Sequence, residues 1–176
     1  MKYDYLVILL VAFAVLGLVT GSNYMFRSTA TAGLTATVTS TVTAQSISVS
    51  VADGSVAYGV LADNTSKGTN TSDMNDTQTA TNNGNVAEDF NIKGQNSANW
   101  TLASSTGSDQ YVHKFCAATC DSPPTNYTAL TTNYQALGTN IAANGTKTFD
   151  LRITTPNPST NFTQQSVDVL VQAVLH

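Results

Sequence analysis

Few side chains in this chain of 176 residues have types suited to chemistry. The histidines are His113 and the terminal His176, the cysteines are Cys116 and Cys120, and Glu88 is the one glutamate. General acid–base work needs a proton carrier held against a second polar group. Tyr111, His113 and Phe115 share one face of a predicted strand, which makes His113 a packing or rim residue rather than a base. Glu88 and Asp89 are adjacent in another predicted strand, so they face opposite sides and do not form a carboxylate pair. The sequence has no Gly-x-Ser-x-Gly elbow, metal-binding histidine pair or phosphate-cradling glycine loop. It is not expected to be an enzyme, and no cofactor is expected.

Other residues invite binding rather than catalysis. Cys116 and Cys120 stand four apart ahead of Asp121-Ser122-Pro123-Pro124. In an oxidising compartment they close a small disulfide loop. The alternative is half a metal site, with His113 as its nearby third ligand. Asp63, Asp73, Asn75 and Asp76 carry the oxygen ligands that calcium takes, but they lack the EF-hand spacing and its late glutamate, so a solvated loop is expected. Trp100 could stack on a sugar; followed by Thr101 and Leu102 in a strand, it reads as a core aromatic. Seven Asn-x-Ser/Thr sequons occur, at Asn64, Asn70, Asn75, Asn99, Asn126, Asn144 and Asn161. Most fall in predicted loops, where glycan transfer is feasible. Asn99, beside Trp100, is the one expected to be partly buried.

These residues sit on elements set by patterning. Leu6 to Val19 is almost wholly apolar, too short to span a bilayer comfortably and suited to a signal peptide. Small residues permit cleavage after Gly21 or after Ala32; the other possibility is a retained anchor. The remaining body suits one domain. Its formal net charge is −4, and charged residues make up 10% of the chain. Nucleic acid, which requires a basic face, is not an expected partner. No polybasic anchor for a membrane surface is present.

Period-two alternation dominates after Ser22. Leu34, Ala36, Val38, Val42 and Ala44 fall on one face, and the phase slips at Gln45-Ser46 before Ile47 to Val51. Val56, Tyr58 and Val60 predict a short strand after the Asp53-Gly54 turn. Residues 62–76 read as a loop. Thr77 to Asn82 and Val86 to Ile92 read as strands joined by an Asn83-Gly84 hairpin. Strands are also predicted at Trp100–Leu102, Tyr111–Cys116, Phe149–Ile153 and Val167–Ala173, with Pro156 and Pro158 stopping the third of these. Residues 126–141 are ambiguous between strand and short helix. The expected fold is all-β: a single jelly-roll or immunoglobulin-like sandwich of about seven to nine strands over residues 33–176, behind a signal peptide over 1–32.

The segment from Gly33 to Ala44 alternates without charge, proline or internal glycine. It is either an ordinary first strand or a donor strand completing the sheet of a neighbouring subunit. Head-to-tail donation propagates into a filament. The stretches "VADGSVAYG", "TNNGNVAEDFNIKG", "NWTL", "GTKTFDLRITTP" and "QQSVDVLVQA", in that order, resemble the secreted filament subunits of the TasA and camelysin-like biofilm-matrix type and of archaeal bundling pili. The resemblance implies a subunit that polymerises with itself through an N-terminal donor strand, here Leu34 to Ala44. It carries over no catalytic residue, and no zinc ligands for a camelysin-like protease are visible. The cysteine pair and low charge depart from it. The expected function is thus a secreted structural subunit of an extracellular pilus or biofilm-matrix fibre. The alternatives are a monomeric adhesion or carbohydrate-binding module and a type IV pilin. The pilin is disfavoured because the apolar run gives way to polar residues by Ser22.

Overall fold

The computed structural model describes residues 36–120 and 126–176. The predicted signal peptide, both cleavage positions and Leu34 lie outside the described residues, as do Asp121 to Thr125. Of the unit ending at Val42, the described part is residues 36–42, which are exposed and carry no strand. The second unit, Thr43–His176, is the β-sandwich.

Ten strands build it: β1 (Val49–Ala52), β2 (Ser66–Gly68), β3 (Gln78–Asn82), β4 (Glu88–Gly94), β5 (Thr101–Leu102), β6 (Gln110–Cys116), β7 (Thr128–Ala129), β8 (Gln135–Ile141), β9 (Thr146–Thr154) and β10 (Val169–Leu175). The larger sheet runs β1-β3-β9-β6-β5, with β2 added along β9 and β7 along β6. The smaller runs β10-β4-β8. The strands not predicted outright are β2 and β7, pairings of three and two residues too short to leave an alternation, and β8, which lies in the ambiguous stretch 126–141.

Alternation decides which side chains meet. On β4, Glu88, Phe90, Ile92 and Gly94 are buried while Asp89, Asn91 and Lys93 are half-buried. On β9, Phe149, Leu151 and Ile153 face the same interior from the other sheet. Ala80, Phe115, Leu130 and Leu137 complete the core. Lys93 lies on the outer face, its Nζ 4.7 Å from the centre of the Tyr134 ring.

Several expectations are corrected. Asn83-Gly84 is not a hairpin turn, because β3 and β4 belong to different sheets. Asn82 forces the crossing. It is fully buried, its Oδ1 accepts from Gly84 N at 2.8 Å, and its Nδ2 donates to Val86 O and Ile141 O at 2.8 Å each. The Asn144-Gly145 turn likewise crosses from β8 to β9, and the two corners bond through Asn82 N to Gly145 O and Asn144 N to Asn82 O. Val56, Tyr58 and Val60 form no strand. The helical alternative for 126–141 gives way to β7 and β8, where Leu137 is buried from a strand. The 62–76 loop contains β2, which pairs with β9.

Phe90 is wholly buried on the central strand of the smaller sheet, whereas Val60 is fully exposed. Phe90→Ala is expected to lower unfolding free energy by about 3–5 kcal/mol, and Val60→Ala to change it by less than about 0.5 kcal/mol. Urea denaturation of both variants checks the contrast.

Candidate functional site

A three-stranded sheet does not cover the inner face of the larger one. Beside β10 the uncovered part becomes a groove of about 1040 Å³. Its floor is Phe149, Leu151 and Ile153 of β9 with His113 of β6. One wall is the segment between β1 and β2, including Val56, Tyr58, Val60 and Leu61. The other is the run from Ser159 into β10, including Phe162, Val167, Val169 and Val171. Among the described residues β10 pairs only with β4, so alternate residues along it have N–H and C=O groups on the other side that no described strand pairs. Val60 is fully exposed and Phe162 is 82% exposed at the mouth.

His113 is one of the buried polar residues that line this groove, with Gln78, Thr155 and Ser159. The Tyr58 hydroxyl lies 3.0 Å from its Nε2, and the rings meet edge-on at 5.8 Å. Nδ1 has no partner among the described residues. Burial pulls the imidazole pKa down from 6.5 to about 4 and pushes the Tyr58 phenol up, so both groups are neutral at ordinary pH. A neutral histidine held by a tyrosine provides shape and one hydrogen bond to the groove. Trp100 is half-buried, not a core residue; it tilts against Tyr111 at 6.2 Å and its Nε1 donates to Ser159 Oγ at 3.1 Å.

The predicted donor residues divide into two groups. Ala36, Val38 and Val42 lie in the exposed stretch without strand structure, Val38 at 87% and Val42 at 97% exposure. Ala44 is instead tied to the body. Asn85 Nδ2 donates to Ala44 O at 2.7 Å, and Asn85 Oδ1 accepts from Ser46 N at 2.8 Å. The side-chain amide thus pairs with main chain much as a strand would. Asn85 N donates to Ser46 O, Asn83 N donates to Ser48 O, and Ser48 N donates to Glu88 Oε1 at 2.8 Å. Glu88 is wholly buried and its Oε2 has no partner among the described residues. Gly84 is required here, because a Cβ would stand 2.2 Å from Glu88 Oε1 and 2.3 Å from Ser46 O. Sequence reasoning missed this clamp; the one signal for it was the run of Asn82, Asn83 and Asn85 around a glycine.

The remaining sequence-derived residues do not converge on the groove. Cys116 and Cys120 form a disulfide with Cα atoms 5.8 Å apart, which removes the half metal site. Asp63 Oδ2 accepts from Ser159 N and Asp76 Oδ1 from Gln78 Nε2, and no cluster of three metal-ligating side chains occurs among the described residues. Asn64, Asn75, Asn126 and Asn144 are exposed. Asn99 is exposed too, contrary to expectation, because Trp100 turns inward without taking its neighbour with it. Asn70 is half-buried and bonds Cys120 O, and Asn161 Oδ1 is occupied by Thr163 and Gln165. The Asn70 amide nitrogen is thus engaged, whereas Asn161 is engaged through its oxygen. Comparison with known families, characterised proteins and solved structures finds no match to this chain.

Two predictions follow from the clamp and the floor. Asn85→Ala removes two side-chain bonds and is expected to cost about 1–2 kcal/mol, with faster amide exchange at Ser46; hydrogen–deuterium exchange reads it directly. For His113, the folded value lies below the unfolded one, so the unfolded chain takes up the proton first as pH falls. Stability from the neutral ring is complete above pH 6.5 and is lost as pH falls from 6.5 toward 4. The loss is on the order of 3 kcal/mol. In His113→Gln this slope is expected to vanish from a series of denaturation curves across that window.

Proposed function

We propose that this protein is a secreted structural subunit that polymerises head to tail, each copy laying residues 34–43 against β10 of the next. The observation that carries this reading is the presence, in one chain, of an exposed alternating segment and of a groove with apolar β9 residues on its floor, beside a strand edge unpaired among the described residues. Ten extended residues reach roughly 33–36 Å, more than the roughly 24 Å of seven-residue β10. A strand along that edge adds about six backbone hydrogen bonds, at about 1 kcal/mol each. Val38 and Val42, buried from near-full exposure, add about 1.5–3 kcal/mol apiece. The donor segment and groove floor carry no like charges to oppose the contact.

The reading has no catalytic step, cofactor or nucleic-acid partner. The disulfide and apolar leader suit export, and the exposed sequons Asn64, Asn75, Asn99, Asn126 and Asn144 are the positions where a glycan fits the folded surface. A monomeric carbohydrate-binding module draws on one observation, the exposure of Phe162 in a groove that Trp100 also lines. The tilted stacking of Trp100 on Tyr111 leaves it a poor sugar platform, which favours the filament.

Deleting residues 33–43 is expected to leave a soluble monomer, and Val38→Asp with Val42→Asp to abolish fibres while changing unfolding free energy by less than about 0.5 kcal/mol. Negative-stain images of exported protein check both. Normal fibres from the deletion variant reject donor-strand assembly, and glycan-array binding by a monomer moves the assignment to the carbohydrate module.

A further inference from the structure

The groove wall formed by Asp53–Leu61 has an unusual attachment. No backbone–backbone hydrogen bond joins these residues to any other described residue. The segment is held by side chains alone. Tyr58 hydroxyl meets His113 Nε2 at 3.0 Å, Lys67 Nζ donates to Tyr58 O at 3.0 Å, and Val56 packs against the core cluster. Asp53, Gly54 and Gly59 have positive φ, at 66°, 66° and 76°, so the chain bends sharply at both ends of Ser55–Tyr58 instead of running as a strand.

The segment also imitates the tail. Val56-Ala57-Tyr58-Gly59-Val60 and Val38-Thr39-Ser40-Thr41-Val42 both place valines four apart with a hydroxyl residue between them. Ser40 is the one polar residue among the even-numbered positions from Leu34 to Ala44. A hydroxyl in that place matches a groove whose buried polar groups include an imidazole.

We infer that Asp53–Leu61 is a resident strap, latched by Tyr58 on His113, that occupies part of the acceptor groove in the free subunit and is displaced when the tail of a second copy enters. This rests on the filament reading and adds its control. The strap shields the apolar floor with a segment that gives up no main-chain ladder when it leaves. The tail gains such a ladder along β10, so exchange runs toward assembly while the latch slows its start. Opening breaks the Tyr58–His113 and Lys67–Tyr58 bonds, and the Ser40 hydroxyl of the incoming copy takes up the imidazole nitrogen.

The test uses the full exported chain. Assembly is followed by light scattering with electron microscopy, and proteolytic cleavage within residues 53–61 is compared between subunit and fibre. Tyr58→Phe is expected to shorten the assembly lag several-fold. Lys67→Gln, which leaves the His113 bond in place, serves as the second variant and is expected to act in the same direction. The strap is expected to be cut faster in fibres than in subunits. Fibres that form with the strap equally or better protected, or with unchanged lag in both variants, overturn the strap while leaving donor-strand assembly standing. Failure of the unaltered chain to form any fibre overturns both.

Discussion

The inequality of the two sheets governs this molecule. A sheet of β1-β3-β9-β6-β5 faces one of only three strands, and a sandwich whose layers differ in width cannot bury both inner faces. Where the smaller layer stops, at β10, apolar side chains of β9 remain with no strand above them. An uncovered inner face next to an unpaired edge combines two liabilities, exposed apolar surface and open main-chain groups. Closed barrels and symmetric sandwiches avoid both. Here irregular chain, the Asp53–Leu61 segment and the run before β10, covers what a strand would otherwise cover.

Buried polar groups fix how the sheets are joined. Asn82 saturates itself against three main-chain groups and turns the chain from one sheet to the other. Glu88 holds the main chain of Ser48 from the interior, and Asn85 holds Ala44 and Ser46 from outside. Together they give the start of the sandwich a fixed root ahead of β1. Buried polar atoms of this kind are costly unless bonded, so they specify one arrangement where apolar packing alone would tolerate several. His113 serves a similar purpose on the groove floor, where a neutral imidazole is stable because Tyr58 meets it.

Alternation made the larger strands legible. β3, β4, β6, β9 and β10 fall where the sequence pattern predicts strands, although only β3 and β4 alternate strictly in burial. The two-residue strands β5 and β7 lack the length for a period. Val56 to Val60 alternates as well as any strand, yet it is bent by Gly54 and Gly59 and anchored by Tyr58, so local pattern lost to tertiary contacts. Leu130, Tyr134, Leu137 and Ile141 had helical spacing because a loop and a strand follow one another there, each supplying residues to the core.

By itself the amino-acid sequence determined the class of fold, the positions of the long strands apart from β8, and the poverty of catalytic groups, and it favoured a bridge between the two cysteines. Each of these depends on residue type or on spacing along the chain. Tertiary structure alone decided which strands share a sheet, and therefore that the Asn-Gly corners cross between layers instead of closing hairpins. It alone placed a groove beside β10, because a sheet edge is a property of what fails to pair, and no residue carries that information locally.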